Sequence, residues 1–239
     1  MNPTEQGLIL AGMKSFLKRH LLEDLPRPHI IEFTGTPDSG KTTIINGVDS
    51  FLRNHGFRVR RPQEGAEVFR HISRKTPLYN MTTGAYGLQN VADAAYSRDH
   101  DFILLDRALY DAYNWMVFWR NKAKLTPWET KEFQTLFTHP FGLSNIDLCF
   151  YVVCRPEEAM RRARSDASVS FESPDGSYTN EKTIAELIET CDEGYKDMCL
   201  KSRPVHWLDT TKISKSEMFE IVFEKVFESM AERVRKRGK

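Results

Sequence analysis

Cysteine is scarce in this chain and nowhere paired. Cys149, Cys154, Cys191 and Cys199 form no C-x-x-C motif, and no histidine joins them at zinc-ligand spacing. That excludes a disulfide scaffold and a zinc ribbon. It fits a reduced, cytoplasmic protein, with Cys149 and Cys154 acting as small apolar residues around a buried strand. Long apolar runs are also missing: no stretch approaches the roughly 18 residues of a membrane span. Leu8 to Met13 is too short for a secretory leader and is followed by Lys14. Charge of one sign is not in excess either, with a net of +1 over 239 residues. Bulk electrostatics therefore give no case for nucleic acid or a membrane, although a local basic groove remains compatible. No internal repeat and no low-complexity tract occurs. The length suits one sizeable α/β domain.

Gly35-Thr36-Pro37-Asp38-Ser39-Gly40-Lys41-Thr42 is the most informative stretch. It satisfies G-x-x-x-x-G-K-[ST] at every fixed position. Ile30 to Thr34 before it has the character of a strand. After it, Ile44, Ile45, Val48, Phe51 and Leu52 recur at helical spacing, and Gly56 can end the helix. Strand, glycine loop and helix together make a phosphate cradle. Backbone N–H groups surround the β-phosphate, helped by the positive end of the helix. Gly35, Asp38, Ser39, Gly40, Lys41, Thr42 and Thr43 are the nucleotide-binding candidates. Lys41 would reach the β- and γ-phosphates, and the Thr42 hydroxyl would ligate Mg²⁺.

The remaining chain alternates strands with helices. Residues 7–22 form an amphipathic pattern with Leu10, Met13, Leu17 and Leu21 on one face, so 1–27 is expected to be a helical extension. Residues 28–239 are expected to be the main domain. Further strands are predicted at 57–61, 102–106, 148–153 and 205–208. Helices are predicted from about Glu67, from Thr82 or Thr83 to Arg98, across 109–138 in two pieces, from Arg155-Pro156, and over 214–236. Thr126, Pro127 and Glu129 mark one helix start. This order implies a three-layer fold around a five-stranded parallel sheet. Ligands in such folds bind beyond the carboxyl ends of the strands. Gly35–Thr42, Glu64, Asp106-Arg107, Arg155 and Asp209-Thr210 all fall at those ends.

Several of these residues suit catalysis. Asp106 ends an apolar strand and could hold Mg²⁺ directly or through water. Arg107 offers a planar fork for phosphate oxygens. Glu64 could take a proton from an acceptor hydroxyl, with Glu67 as competitor. Arg161 and Arg164 share one helix face, while Arg162 points about 100° away. With the polar stretch Ser165–Thr179 they suggest an arginine-bearing lid over about 155–180. Gln89, near Tyr79, Tyr86 and Tyr96, could line an acceptor pocket. Each also has a plainer reading: a strand-end salt bridge, a solvated acid, a basic helix face, or a structural glutamine. The Arg233–Lys239 cluster is most simply a solvated helix end.

Five segments in order resemble the thymidylate kinase and deoxynucleoside kinase group of P-loop kinases. They are GTPDSGKT (35–42), RRPQEGA (60–66), LLDRALYDAY (104–113), CRPEEAMRRARSD (154–166) and WLDTT (207–211). The resemblance implies a P-loop NTPase fold with ATP and Mg²⁺ as cofactors. It implies that Arg107 contacts the acceptor end or the transferred phosphoryl, and that Glu64 stands at the catalytic acid's position. Gln89 would fall near the base-reading glutamine, the basic helix would be the lid, and Asp209-Thr210-Thr211 would lie near the adenine. The pattern departs from the family after the second strand. Glu64 is followed by Gly65 rather than proline, and the order Arg-Pro-Gln-Glu replaces Arg-Glu-Pro. Arg70 could replace a monophosphate-binding arginine.

Three functions follow from these residues. One is an ATP-dependent kinase acting on a nucleoside- or nucleotide-like acceptor, compatible with a homodimer. The second keeps the chemistry but phosphorylates nucleic acid, with Arg58, Arg60, Arg61, Arg70 and Arg74 as a basic groove. The third is a regulatory ATPase. The chain has no N-K-x-D guanine signature, which argues against a GTPase.

Overall fold

The computed structural model describes residues 27–165 and 180–237. The amphipathic stretch 7–22 and the polar stretch 166–179 of the expected lid lie outside those residues. Five parallel strands form one sheet: β1 (His29–Gly35), β2 (Val59–Arg60), β3 (Phe102–Asp106), β4 (Leu148–Val153) and β5 (Val205–Asp209). Their spatial order is β2-β3-β1-β4-β5, so β1 is central. It pairs Phe33 with Asp106 on one side and Gly35 with Val152 on the other. Every residue of β1 and β4 is buried. This is why those strands are apolar almost throughout rather than alternating.

Alternation within β1 sorts residues between two helical layers. Ile31 and Phe33 pack on α1 (Lys41–Asn54) and α9 (Lys215–Arg237), with Ile44, Ile45, Val48, Val222 and Val226 fully or nearly buried. Ile30 lies with Val91, Met116, Tyr151 and Cys191 on the other side. That layer holds α3 (Pro77–Tyr96), α4 (Leu109–Asn121) and α8 (Glu181–Leu200). Each fully buried Ile or Phe contributes about 1.5–3 kcal/mol. The smaller helices are α2 (Gly65–Val68), α5 (Pro127–Phe137), α6 (Pro140–Leu143) and α7 (Pro156–Ser165). The expected capping box at Thr126 is present: Thr126 Oγ1 accepts from the Glu129 N–H at 3.2 Å, and Glu129 accepts from the Thr126 N–H at 2.7 Å.

Three boundaries differ from the sequence reading. The second strand, expected over 57–61, pairs only at Val59 and Arg60. Phe57 instead packs edge-on against Phe102, and Arg58 turns to Asp101. The helix after Glu64 is a single turn. Helix α3 starts at Pro77, five residues before the expected Thr82, because the fixed φ of proline suits the first helical position; Thr76 stands at the N-cap without a side-chain bond. Helix α8 was not assigned from sequence. Its start is marked by Asn180, whose side chain accepts from the Thr183 N–H at 2.9 Å.

The far edge of the sheet carries a buried ion cluster. Asp147 accepts two bonds from Arg27 at 2.9 Å, one from Arg233 at 3.2 Å and one from the Ile30 N–H at 2.8 Å. Arg233 is thus half-buried structure rather than part of a solvated helix end. His29 is fully buried beside it, with Nδ1 3.7 Å from Asp147 Oδ2. Burial lowers His29 to about 4, Asp147 pulls it up, and Arg233 and Arg27 push it further down. The folded state therefore refuses a proton that the unfolded state accepts near 6.5. Stability should fall as pH drops from about 6.5 to 4, by up to roughly 3 kcal/mol. Urea unfolding of wild type against His29→Gln across that range checks this: only the wild type should show this component.

Candidate active site

Backbone geometry builds the loop between β1 and α1. Gly35 has φ 133°, Gly40 φ 95° and Asp38 φ 54°. A Cβ on Gly35 would lie 1.8 Å from the Val152 carbonyl oxygen, so only glycine lets the loop leave β1 this close to β4. Gly40 caps α1 with no side-chain hydrogen bond, which leaves the first-turn N–H groups open to an anion. Ser39 Oγ donates to the Thr36 carbonyl at 2.8 Å and braces the loop from within. Lys41 is buried, and its Nζ donates to the carbonyls of Gly35 and Thr36. Burial lowers its amine to about 8 with help from Arg107, against Asp106, Asp111 and Glu64. It therefore stays mostly protonated at neutral pH.

A cavity of about 1000 Å³ opens beside the loop. Asp38, Gly40, Lys41, Thr42 and Thr43 form one wall. Glu158, Arg161, Arg162 and Ser165 of α7 form a second, and Thr210 to Ser214 with Met218 a third. Arg162 joins the walls. It donates to Thr210 Oγ1 at 3.0 Å, to the Thr210 carbonyl at 2.8 Å and to the Asp38 carbonyl at 3.4 Å. Thr210 Oγ1 in turn donates to the Ser39 carbonyl at 2.8 Å. Arg161 lines the cavity while pairing with Glu158, and Arg164 is exposed.

On the other side of Lys41 lies a carboxylate–arginine cluster. Arg107 occupies the left-handed region at φ 63°. Its Nε is 3.2 Å from Glu64 Oε1, and its Nη1 donates to Asp111 Oδ1 at 2.9 Å. Thr34 Oγ1 also donates to Asp111 Oδ1, at 2.8 Å. Burial raises Glu64 above the usual carboxylate range, and Arg107 opposes it. Burial likewise raises Asp106, with Lys41 and Arg107 pulling down. Asp106 Oδ1 is buried with no hydrogen-bond partner. Arg107 loses from burial, but Asp111, Glu64 and Asp106 more than offset it, so it is held charged.

The fold thus brings Lys41, Glu64, Asp106 and Arg107 to one strand-end edge. Arg70 is exposed on the turn after α2. Arg74 reaches back instead, donating to the Ala66 carbonyl at 3.3 Å and lying 5.9 Å from the centre of the Tyr79 ring. Gln89 is on the exposed face of α3, whereas Asn90 beside it is buried. Of the arginines expected in a basic groove, Arg58 pairs with Asp101, Arg60 with Asp93 and Arg61 with Asp49.

No family model and no curated protein sequence matches the chain. Solved structures do. Deoxyadenosine kinase from M. mycoides with bound dATP aligns at 16% identity, over 83% of this chain and 98% of that one, with a TM-score of 0.58. The same protein with products dCMP and a flexible dCDP aligns at 18% identity and a TM-score of 0.58, and with dCTP at 16% and 0.55. Each of these two alignments covers 82% of this chain and 98% of that one.

The chain has the α/β fold of these structures.

Within this fold, three residues matter that the sequence patterns did not single out. Arg162 belongs to the predicted arginine helix but lies about 100° from the face of Arg161 and Arg164 that was expected to act. Ala159 and Ala163 are buried and set the rotation of α7, which turns Arg162 toward the loop. Asp111 lies four residues after Arg107, a spacing that pairs side chains on a helix and could have revealed it. Glu32 is the third. It is a carboxylate inside an apolar strand, an incongruity visible in the sequence. Burial raises it to about 7, while the backbone N–H groups of Asp111, Ala108 and Tyr110 pull the other way. Among the described residues, no helix is long and apolar enough to cross a membrane.

Proposed function

We propose that this chain is a kinase that transfers the γ-phosphoryl group of ATP to a hydroxyl of a nucleoside-like acceptor. The observation that carries this reading is the Glu64–Arg107–Asp111 cluster, set beside Lys41 and apart from the nucleotide cavity. A hydrolysing ATPase also positions a water and an arginine beside the nucleotide, so the acceptor screen below separates it from a kinase. A second wall of fixed charges fits a second substrate.

In this reading the phosphates of ATP lie along the 35–42 loop, with the base toward Thr210–Met218. The acceptor oxygen attacks the γ-phosphorus, the bond from that phosphorus to the β,γ-bridging oxygen breaks, and ADP leaves. Glu64 takes the hydroxyl proton. Its raised affinity for protons makes it a better base near neutral pH than an ordinary carboxylate. Lys41 and Arg107 face the charge on the transferred group, which is where most of the catalysis of such reactions arises. A carboxylate at the reacting position also fits a neutral hydroxyl better than a phosphate dianion, which favours a nucleoside over a nucleotide.

Mg²⁺ fits this site. Asp106 Oδ1 is an unpartnered buried oxygen, and Thr42 is exposed in the cavity wall. Among the described residues no cluster of three or more His, Cys, Asp or Glu could hold a metal. Phosphate oxygens and water would complete its shell. When bound, Mg²⁺ supplies charge neutralisation across the β- and γ-phosphates.

Labelled ATP offered with nucleosides, nucleotides and oligonucleotides tests the reading. Label should pass to one or more free nucleosides. Transfer to oligonucleotides alone, with steep loss between low and moderate salt, would identify a nucleic-acid kinase instead. Phosphate release that no acceptor accelerates would identify an ATPase. The pairing of Arg58, Arg60 and Arg61 with carboxylates weighs against the nucleic-acid reading.

A further inference from the structure

Glu32 takes no part in the chemistry above, yet it is the most fully engaged carboxylate near it. Its side chain is completely buried in the middle of β1. Oε1 accepts from the N–H groups of Ala108 and Asp111, both at 2.9 Å. Oε2 accepts from Leu109 at 3.0 Å and Tyr110 at 3.2 Å. These are the N–H groups that open α4, and a helix start leaves such donors without partners inside the helix. The residue in the N-cap position, Ala108, has no side-chain oxygen to offer and sits at φ −147°, ψ −114°. The cap therefore comes from another strand, 76 residues away at its nearest. When ionised, the side chain also meets the positive end of the helix.

The same turn carries the acceptor wall. Arg107, one residue before Ala108, is held at φ 63° by its N–H bond to the Phe33 carbonyl at 3.0 Å. Asp111, in the first turn of α4, accepts from Thr34 and from Arg107. Glu32 and Thr34 thus project from the same face of β1 onto one helical turn.

We propose that Glu32 is a positioning residue for phosphoryl transfer: by clamping the first turn of α4 to β1, it fixes Asp111 and, through Asp111, the Arg107 guanidinium against Glu64. This rests on the phosphotransfer reading above. A plain stabilising cap would affect folding alone. A positioning residue must also affect turnover in protein that is still folded.

The test uses Glu32→Gln in the full chain, which keeps the size but replaces one acceptor oxygen with a donor facing N–H groups. Met230→Ala, a buried site on α9 remote from the cluster, serves as the comparison for lost stability. In Glu32→Gln, kcat should fall by about 10²-fold, the loss that a displacement near 1 Å brings. The KM for ATP should change less than about threefold, since the phosphate loop is untouched. Hydrogen exchange at the amides of 108–111 should speed up. Met230→Ala should lose stability without this loss of kcat. An unchanged kcat in Glu32→Gln, or an equal fall in Met230→Ala, overturns the proposal. If wild type binds Mg·ATP but phosphorylates no acceptor, the phosphotransfer reading fails and catalytic positioning falls with it. Exchange at 108–111 then separates the two failures: faster exchange in Glu32→Gln leaves Glu32 a structural clamp, and unchanged exchange removes the clamp as well.

Discussion

Glu64→Gln should lower kcat by about 10²–10⁴-fold, the range expected when a general base is removed. ATP affinity should stay within about twofold, because Glu64 lies across Lys41 from the nucleotide cavity. The amide keeps the shape and can still accept from Arg107 Nε, now 3.2 Å from the carboxylate. What it loses is the ability to take a proton. The pH profile carries the sign. The base works when deprotonated, and burial raises its proton affinity. Wild-type kcat/KM should therefore rise with pH through a limb above the ordinary carboxylate range, and the variant should lack that limb. Glu67→Gln is the control. Glu67 is exposed, accepts from Gln63 Nε2 at 3.1 Å, and should retain full turnover. Wild-type rates in Glu64→Gln would remove Glu64 from the mechanism.

Gly35→Ala should be the most damaging single methyl group in the protein. It would meet the Val152 carbonyl oxygen at 1.8 Å and the carbonyl carbon at 2.7 Å, both main chain. Neither can rotate away. The residue also sits at φ 133°, where an L side chain is strained. Loss of stability should reach roughly 3–5 kcal/mol, and the displaced loop should lose nucleotide binding. Gly56→Ala separates the two causes. Gly56 has φ 83° but nothing within 4 Å of the added Cβ, so it reports backbone strain alone, about 1–2 kcal/mol. Urea midpoints and nucleotide titrations of both variants decide it. A Gly35→Ala protein no less stable than Gly56→Ala would show that the loop yields more easily than its packing implies.

The parts of this site that were legible in sequence are local in the chain. The phosphate loop is eight consecutive residues whose function depends on backbone shape, and glycine at fixed spacing records that shape directly. Apolar strands ending in Asp106 and Val153 were equally visible, since burial on both faces demands continuous apolar residues. Glu64, Asp106 and Arg107 follow predicted strand ends, where ligands of such sheets bind. Helix α3 shows the limit of periodicity: it starts at Pro77, whose fixed φ suits a first helical position, rather than where the apolar spacing begins.

By itself, then, the sequence determined a G-x-x-x-x-G-K-T loop in an α/β frame and the set of charged residues at its strand ends. The tertiary structure alone decided which of those charges meet. Arg162, rather than Arg161 or Arg164, reaches the loop because the packing of Ala159 and Ala163 sets the rotation of α7. Glu32 reaches α4 across 76 to 79 positions, a contact made by β1 and β3 lying side by side. Short-range patterns follow from covalent geometry and are written residue by residue. A strand order of β2-β3-β1-β4-β5 and the phase of each helix arise from packing the whole core at once.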